Sequence, residues 1–88
     1  MDRTLVNETI TTHVRFAREG KVYPIAFTWQ ERVYYVAGLG RQWTETINNI
    51  EWHCFMVQTR TGDTVQLCWN RQTNEWRLLA AWWRQGIA

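Results

Sequence analysis

Trp52-His53-Cys54-Phe55-Met56-Val57-Gln58-Thr59-Arg60-Thr61-Gly62-Asp63-Thr64-Val65-Gln66-Leu67-Cys68-Trp69-Asn70 decides the fold. Two runs of alternating character flank a polar turn, and Gly62 supplies the left-handed residue of a three-residue hairpin loop. With Arg60-Thr61-Gly62 as that loop, Val57 faces Val65 and Phe55 faces Leu67. The larger apolar side chains then share one face, which favours this register over the two-residue alternative. The same register makes Cys54 the cross-strand neighbour of Cys68 on the opposite face, where Trp52, Met56 and Leu79 join them. A face of that character is covered, by the Trp82-Trp83 tail or by another chain.

Working outward, Glu75 to Ala81 extends the hairpin across the turn Arg71-Gln72-Thr73-Asn74. The expected pairs are Trp69 with Trp76, Leu67 with Leu78 and Val65 with Ala80. A helix over Leu78 to Ala88 is the alternative, on the propensity of Leu-Leu-Ala-Ala. Upstream, Thr9 to Ala17 alternates, with Arg18-Glu19-Gly20-Lys21 as a turn. Tyr23 to Trp29 follows, with Pro24 at a strand start or edge, and a tight connection at Glu31-Arg32 leads into Val33 to Ala37. The chain divides into an N-terminal arm (1–8), a three-strand unit (9–37), a connection (38–51), a second three-strand unit (52–81) and a tail (82–88). The connection contains Trp43, expected to cap an open barrel end, and has room for a short helical turn. The expected fold is mainly β: five or six antiparallel strands, strongly twisted or closed as a small SH3-like or OB-like barrel. Its core is Val14, Phe16, Ile25, Phe27, Trp29, Tyr34, Val36, Phe55, Val57, Val65, Leu67, Trp69, Trp76 and Leu78.

Composition bounds the function. At 88 residues the chain forms one domain with a thin core, yet it carries seven tryptophans, more than such a core needs. All its basic residues but Lys21 are arginine, and the net charge of +2 is too small by itself to imply nucleic acid. The first residues, Met1 to Leu5, lack the apolar core of a signal peptide. The longest apolar run, Leu78 to Trp83, is far short of a membrane span. A soluble cytoplasmic protein with reduced thiols is the expectation.

Candidate chemistry is sparse. His13, His53, Cys54 and Cys68 follow no zinc spacing, and His53 points away from Cys54 on a strand. The same geometry separates a Cys–His nucleophile pair, and the carboxylates Glu45, Glu51, Asp63 and Glu75 sit in turns or at strand ends. No enzyme, metal or other cofactor is expected. Two binding readings stand. Single-stranded nucleic acid would stack on the aromatics outside the core, Tyr35, Trp43, Trp82 and Trp83, beside Arg32, Arg41 and Arg84. Alternatively, Trp52, Cys54, Met56, Cys68 and Leu79 pair two copies of the chain. The alternative to the first is that Trp82 and Trp83 pack back onto the sheet.

The segments Pro24-Ile25-Ala26-Phe27-Thr28-Trp29, Arg32-Val33-Tyr34-Tyr35-Val36, Trp43, Phe55-Met56-Val57 before Gly62, Val65-Gln66-Leu67 and Thr73-Asn74-Glu75-Trp76-Arg77-Leu78 together define a spaced pattern. Through them the chain, over Thr12 to Leu79, resembles a bacterial family of small, mostly stand-alone tryptophan-rich domains of unknown function. A similar segment is appended to some Y-family translesion polymerase-like proteins. The resemblance implies an accessory binding role, with a DNA-repair protein as a further candidate partner, and supplies no catalytic residues. Departures fall at Glu31, where the family has Gly, at Asn70, commonly Asp, and at Met56 and Cys68, commonly charged. The last two point to a self-association surface particular to this chain.

Overall fold

The computed structural model describes residues 2–84 and is built almost wholly of strands. They are β1 (Arg3–Phe16), β2 (Val22–Trp29), β3 (Arg32–Ile47), β4 (Ile50–Thr59), β5 (Thr64–Asn70) and β6 (Glu75–Trp82). All six run antiparallel in chain order, and β6 returns to β1 to close a barrel. Among the described residues the single helical element is a 3-10 turn at Arg18–Gly20. It lies between β1 and β2, not in the 38–51 region, where a helical turn was expected.

The central hairpin has the expected register. Phe55 pairs with Leu67, Val57 with Val65, and Cys54 with Cys68. The Thr59 N–H donates to the Asp63 carbonyl at 2.8 Å and the Gly62 N–H to the Thr59 carbonyl at 3.0 Å. Gly62 sits at φ 88°, a conformation that costs glycine nothing. Phe55, Val57, Val65 and Leu67 are buried in one core with Phe27, Tyr34, Trp76 and Leu78. Burying each of the larger side chains stabilises the fold by about 1.5–3 kcal/mol.

Elsewhere, bulges move the chain off a simple alternation. His13 pairs with Ala26 but Val14 with Pro24, leaving Ile25 as an extra residue on β2. The faces swap there: Val22 and Pro24 turn inward and Ile25, expected in the core, is 48% exposed. Phe16, also expected inside, is the last residue of β1 and is 76% exposed. A bulge at Leu79 shifts β6, so that Val65 pairs with Ala81 and not with Ala80. Val14, Trp29, Val36 and Trp69 pack partly buried against the core.

Two expected boundaries change. Residues 3–8 of the supposed arm are the start of β1, paired with β6 across a bulge at Asn7, whose φ is 50°. Most of the supposed connection is the second half of β3, paired with β4 as far as Ile47 and Ile50. Asn48 and Asn49, at φ 53° and 64°, make the two-residue turn between them, a conformation asparagine tolerates well. Trp43 therefore lies on a strand and caps no barrel end. Leu78 to Trp82 are strand, not helix; residues 85–88 of the expected tail lie outside the described residues. Among the described residues no helix is long and apolar enough to cross a membrane.

Leu67→Ala should lower unfolding free energy by about 2–5 kcal/mol, whereas Ile25→Ala should change it by no more than about 0.5 kcal/mol. Urea denaturation of both variants checks the inside–outside assignment. The Gln30–Glu31 turn holds Glu31 at φ 63°, so Glu31→Gly should raise stability by up to about 1 kcal/mol in the same assay.

Candidate functional site

β1 and β3 are longer than their partners, and each changes partner midway. β1 pairs with β6 through Ile10 and with β2 from Thr11 onward. β3 pairs with β2 only over Arg32–Tyr35, then with β4 from Val36. Beyond the Ala26–Tyr35 pair, β2 and β3 splay apart. Tyr23, Pro24 and Ile25 on one side face Val36, Ala37, Gly38 and Leu39 on the other. With Arg15 from β1 they line a cleft of about 390 Å³.

The cleft does not end at the barrel wall. Tyr23 also lines a second cavity of about 270 Å³ at the barrel mouth, with Lys21, Gln42, His53, Phe55, Trp69 and Arg71. His53 and Arg71 in turn border a third, of about 370 Å³, formed with Asn49, Ile50, Glu51 and Gln72. Tyr23 thus stands between the lateral slit and the mouth, and His53 and Arg71 stand between the two mouth cavities.

Charge and aromatic character change along this path. Among the described residues Arg15 is the one charged residue lining the slit. Tyr35, which precedes Val36 in β3 and lies outside the lining, is 53% exposed, with the Arg60 guanidinium 5.3 Å from its ring centre. At the mouth Lys21 and Arg71 accompany Glu19 and Glu51. Arg71 lies 6.0 Å from the Trp69 ring, and the Trp69 Nε1 donates to Asn74 Oδ1 at 2.9 Å. Trp69 stacks on Trp76, Trp76 on Phe55, and Phe55 meets His53, at centroid distances of 5.6, 5.7 and 4.8 Å. This file of rings forms a rigid floor. Burial and the Arg71 charge hold the His53 imidazole below the usual histidine value, and Glu51 partly opposes them.

None of the residues expected to contact nucleic acid lines these cavities; Tyr35 adjoins the slit only as the chain neighbour of Val36. Arg32 lies over Tyr34, 5.0 Å from its ring centre. Trp83 stacks on Trp29 at 5.2 Å and 11° and touches the core near Tyr34. Trp82 closes β6, paired with Arg3 and Thr64. The Arg84 N–H donates to Asp63 Oδ1 at 2.8 Å, and its side chain lies across Gly62. Trp82, Trp83 and Arg84 are therefore fixed to the barrel, with Trp83 in its packing. Arg41 and Trp43 pair at 5.0 Å on the outer face of the β3–β4 sheet. The signal for Tyr23, Arg15 and Arg60 was present in the sequence only as aromatic and basic residues near turns. The convergence of Arg15 and Tyr23 on Val36 to Leu39 depends on the splay.

The thiol-bearing face is a second small core. Trp52, Cys54 and Cys68 are buried, with Trp43 and Leu79 packed against them. Arg77 lies 5.9 Å from the Trp52 ring and is held by Glu75 and Asn7 at 3.0 Å each. Met56 is half-buried beside them. Side chains of the same chain cover this face, and the Trp82-Trp83 segment takes no part. Trp52, Cys54 and Cys68 have almost no surface left to offer a second copy. His53, in the mouth, and Cys54, in this cluster, lie on opposite faces of β4. Among the described residues no three His, Cys, Asp or Glu side chains converge as metal ligands would.

Comparison with protein-family models, with curated proteins and with solved structures finds no match for this chain.

Because folding favours neutral His53, the unfolded chain binds the proton more readily. This contribution to stability is complete above about pH 6.5 and is lost as pH falls through the lower folded value. Arg71→Gln should raise the His53 pKa, read from its imidazole C–H shifts in an NMR titration. An unchanged midpoint would separate Arg71 from the mouth.

Proposed function

We propose that the protein is a non-enzymatic binding module for single-stranded nucleic acid, and that the strand lies along the slit between β2 and β3. The observation that carries this reading is the exposed Tyr35 under Arg60, one residue before Val36 of a cleft whose one charged residue among the described lining is Arg15. An exposed ring beside arginines stacks a base and neutralises its phosphate, while the absence of a lining carboxylate avoids repulsion of the backbone. Tyr23 continues the aromatic path, and Lys21, Arg71 and Trp69 repeat the pairing at the mouth. The apolar walls, Ile25, Val36 and Leu39, suit the faces and edges of bases better than free phosphate. An accessory role beside a DNA-repair protein, which the family resemblance implies, accords with such a ligand. Self-association through Trp52, Cys54, Met56, Cys68 and Leu79 is the weaker reading, since its central side chains are already buried.

Fluorescence anisotropy with a short labelled pyrimidine oligonucleotide tests the proposal. Binding should weaken with salt. Tyr35→Ala should cost roughly 5- to 100-fold in affinity, equivalent to about 1–3 kcal/mol for one stacked base. Arg60→Gln and Arg15→Gln should each reduce the slope of log affinity against log salt by about 0.7. Arg41→Gln, outside the path, should leave binding unchanged. Absence of binding at low salt, or loss confined to Arg41→Gln, would overturn the assignment.

A further inference from the structure

The binding reading makes no use of the two thiols, although their placement is specific. Cys54 and Cys68 are direct partners across β4 and β5, both are free and buried, and their sulfurs lie 2.7 Å apart. Nothing intervenes between the two Sγ atoms. Directly opposed antiparallel residues have Cα separations of about 4.5–5.5 Å, within the span that a disulfide bridges without moving the backbone. The surroundings also select what can reach them. Trp43, Trp52 and Leu79 pack over the pair, and Gln66 Nε2 donates to the Cys68 sulfur at 3.7 Å.

We propose that Cys54 and Cys68 form a reversible oxidation site that closes into a cross-strand disulfide on reaction with a small peroxide. Cys54 attacks one peroxide oxygen, the O–O bond breaks, and hydroxide leaves and takes up the thiol proton as water. This leaves Cys54 as a sulfenic acid. The Cys68 sulfur then attacks the Cys54 sulfur, the S–O bond breaks, and a second water departs with the Cys68 proton. In sum, two thiols and hydrogen peroxide give one disulfide and two waters; the sulfurs are oxidised and the peroxide oxygens reduced.

The order of attack follows from the pair itself. The Cys68 S–H donates to Cys54 and favours its thiolate, holding the Cys54 thiol below its usual value. Cys68 is held well above its own by that same bond and by burial. Cys54 is the nucleophile and Cys68 the resolving thiol. Cys54 and Cys68 are almost wholly buried, so a small peroxide reaches them through local opening of the tryptophan cover, which hinders a bulky disulfide such as oxidised glutathione more.

The test uses the reduced full-length protein, freed of reductant and exposed to hydrogen peroxide. Intact mass should fall by about 2 Da, the loss of two hydrogens, in a monomer that no longer alkylates after denaturation and recovers on treatment with dithiothreitol. The melting temperature should rise on the order of 10 °C as the bond constrains the unfolded chain. Cys68→Ser should instead accumulate a dimedone-reactive sulfenic acid at Cys54, and Trp43→Ala should speed reaction with oxidised glutathione by tenfold or more. Two thiols that still alkylate in full, oxygen addition without loss of hydrogen, or bonds formed only between chains would overturn the proposal. The wild-type mass alone decides it if the variants fail to fold.

Discussion

The pairing of Phe55 with Leu67 is the contact on which the rest of the molecule depends. Strand side chains alternate with a period of two, so a slip of one residue in this hairpin would exchange its faces. One strand's bulky row, Phe55 and Val57 or Val65 and Leu67, would then meet solvent, and Cys54 and Cys68 would part to opposite faces. The three-residue loop with its left-handed Gly62 excludes that slip, and Asp63 reinforces it by accepting from Thr61 Oγ1 at 2.6 Å and from the Arg84 N–H at 2.8 Å. Both the core and the buried thiol pair follow from one turn.

A sheet this small cannot close without sharp bends, and bulges supply them. They occur where β1 meets both neighbours, twice along β3 against β4, and at Leu79 of β6. The bends let β1 and β3 each serve two partners in succession. For β3 the change of partner leaves a stretch where the strand before it is already committed to β1. The slit is the geometric remainder of closing six strands around so narrow a core. A binding surface placed there takes nothing from the hydrogen bonds that hold the barrel together.

What the sequence reveals depends on the range of the forces involved. The central hairpin was legible because its turn and its alternation are local and agree. The strand class, the inner row Phe55–Val57–Val65–Leu67 and the outer partnership of the cysteines followed from that agreement. Ile25 was misplaced because a bulge is set by how two distant strands close, and no residue near Pro24 announces it. The second half of β3 was missed for a related reason: bulges at Ala37 and at Gly40–Arg41 break the alternation. Yet Ile47-Asn48-Asn49-Ile50 carried a readable hairpin signal. The slit lies furthest from view, since Arg15 and Tyr23 meet Val36 and Leu39 only after three strands have bent.

The tryptophans, so prominent in the sequence, resolve into structural sets. Trp69 and Trp76 stack at the mouth, Trp29 and Trp83 stack at the opposite end, and Trp43 and Trp52 cover the thiols. Each set sits where a short barrel would otherwise admit water to apolar side chains, and a broad rigid ring seals such an opening at small entropic cost. Arginines lie over Trp43, Trp52 and Trp69, so part of the available ring surface is already engaged within the chain. A ligand that needs an aromatic face must therefore find one elsewhere. Tyr35 keeps more than half of its surface exposed even with Arg60 over its ring, which leaves room for a ligand beside the arginine.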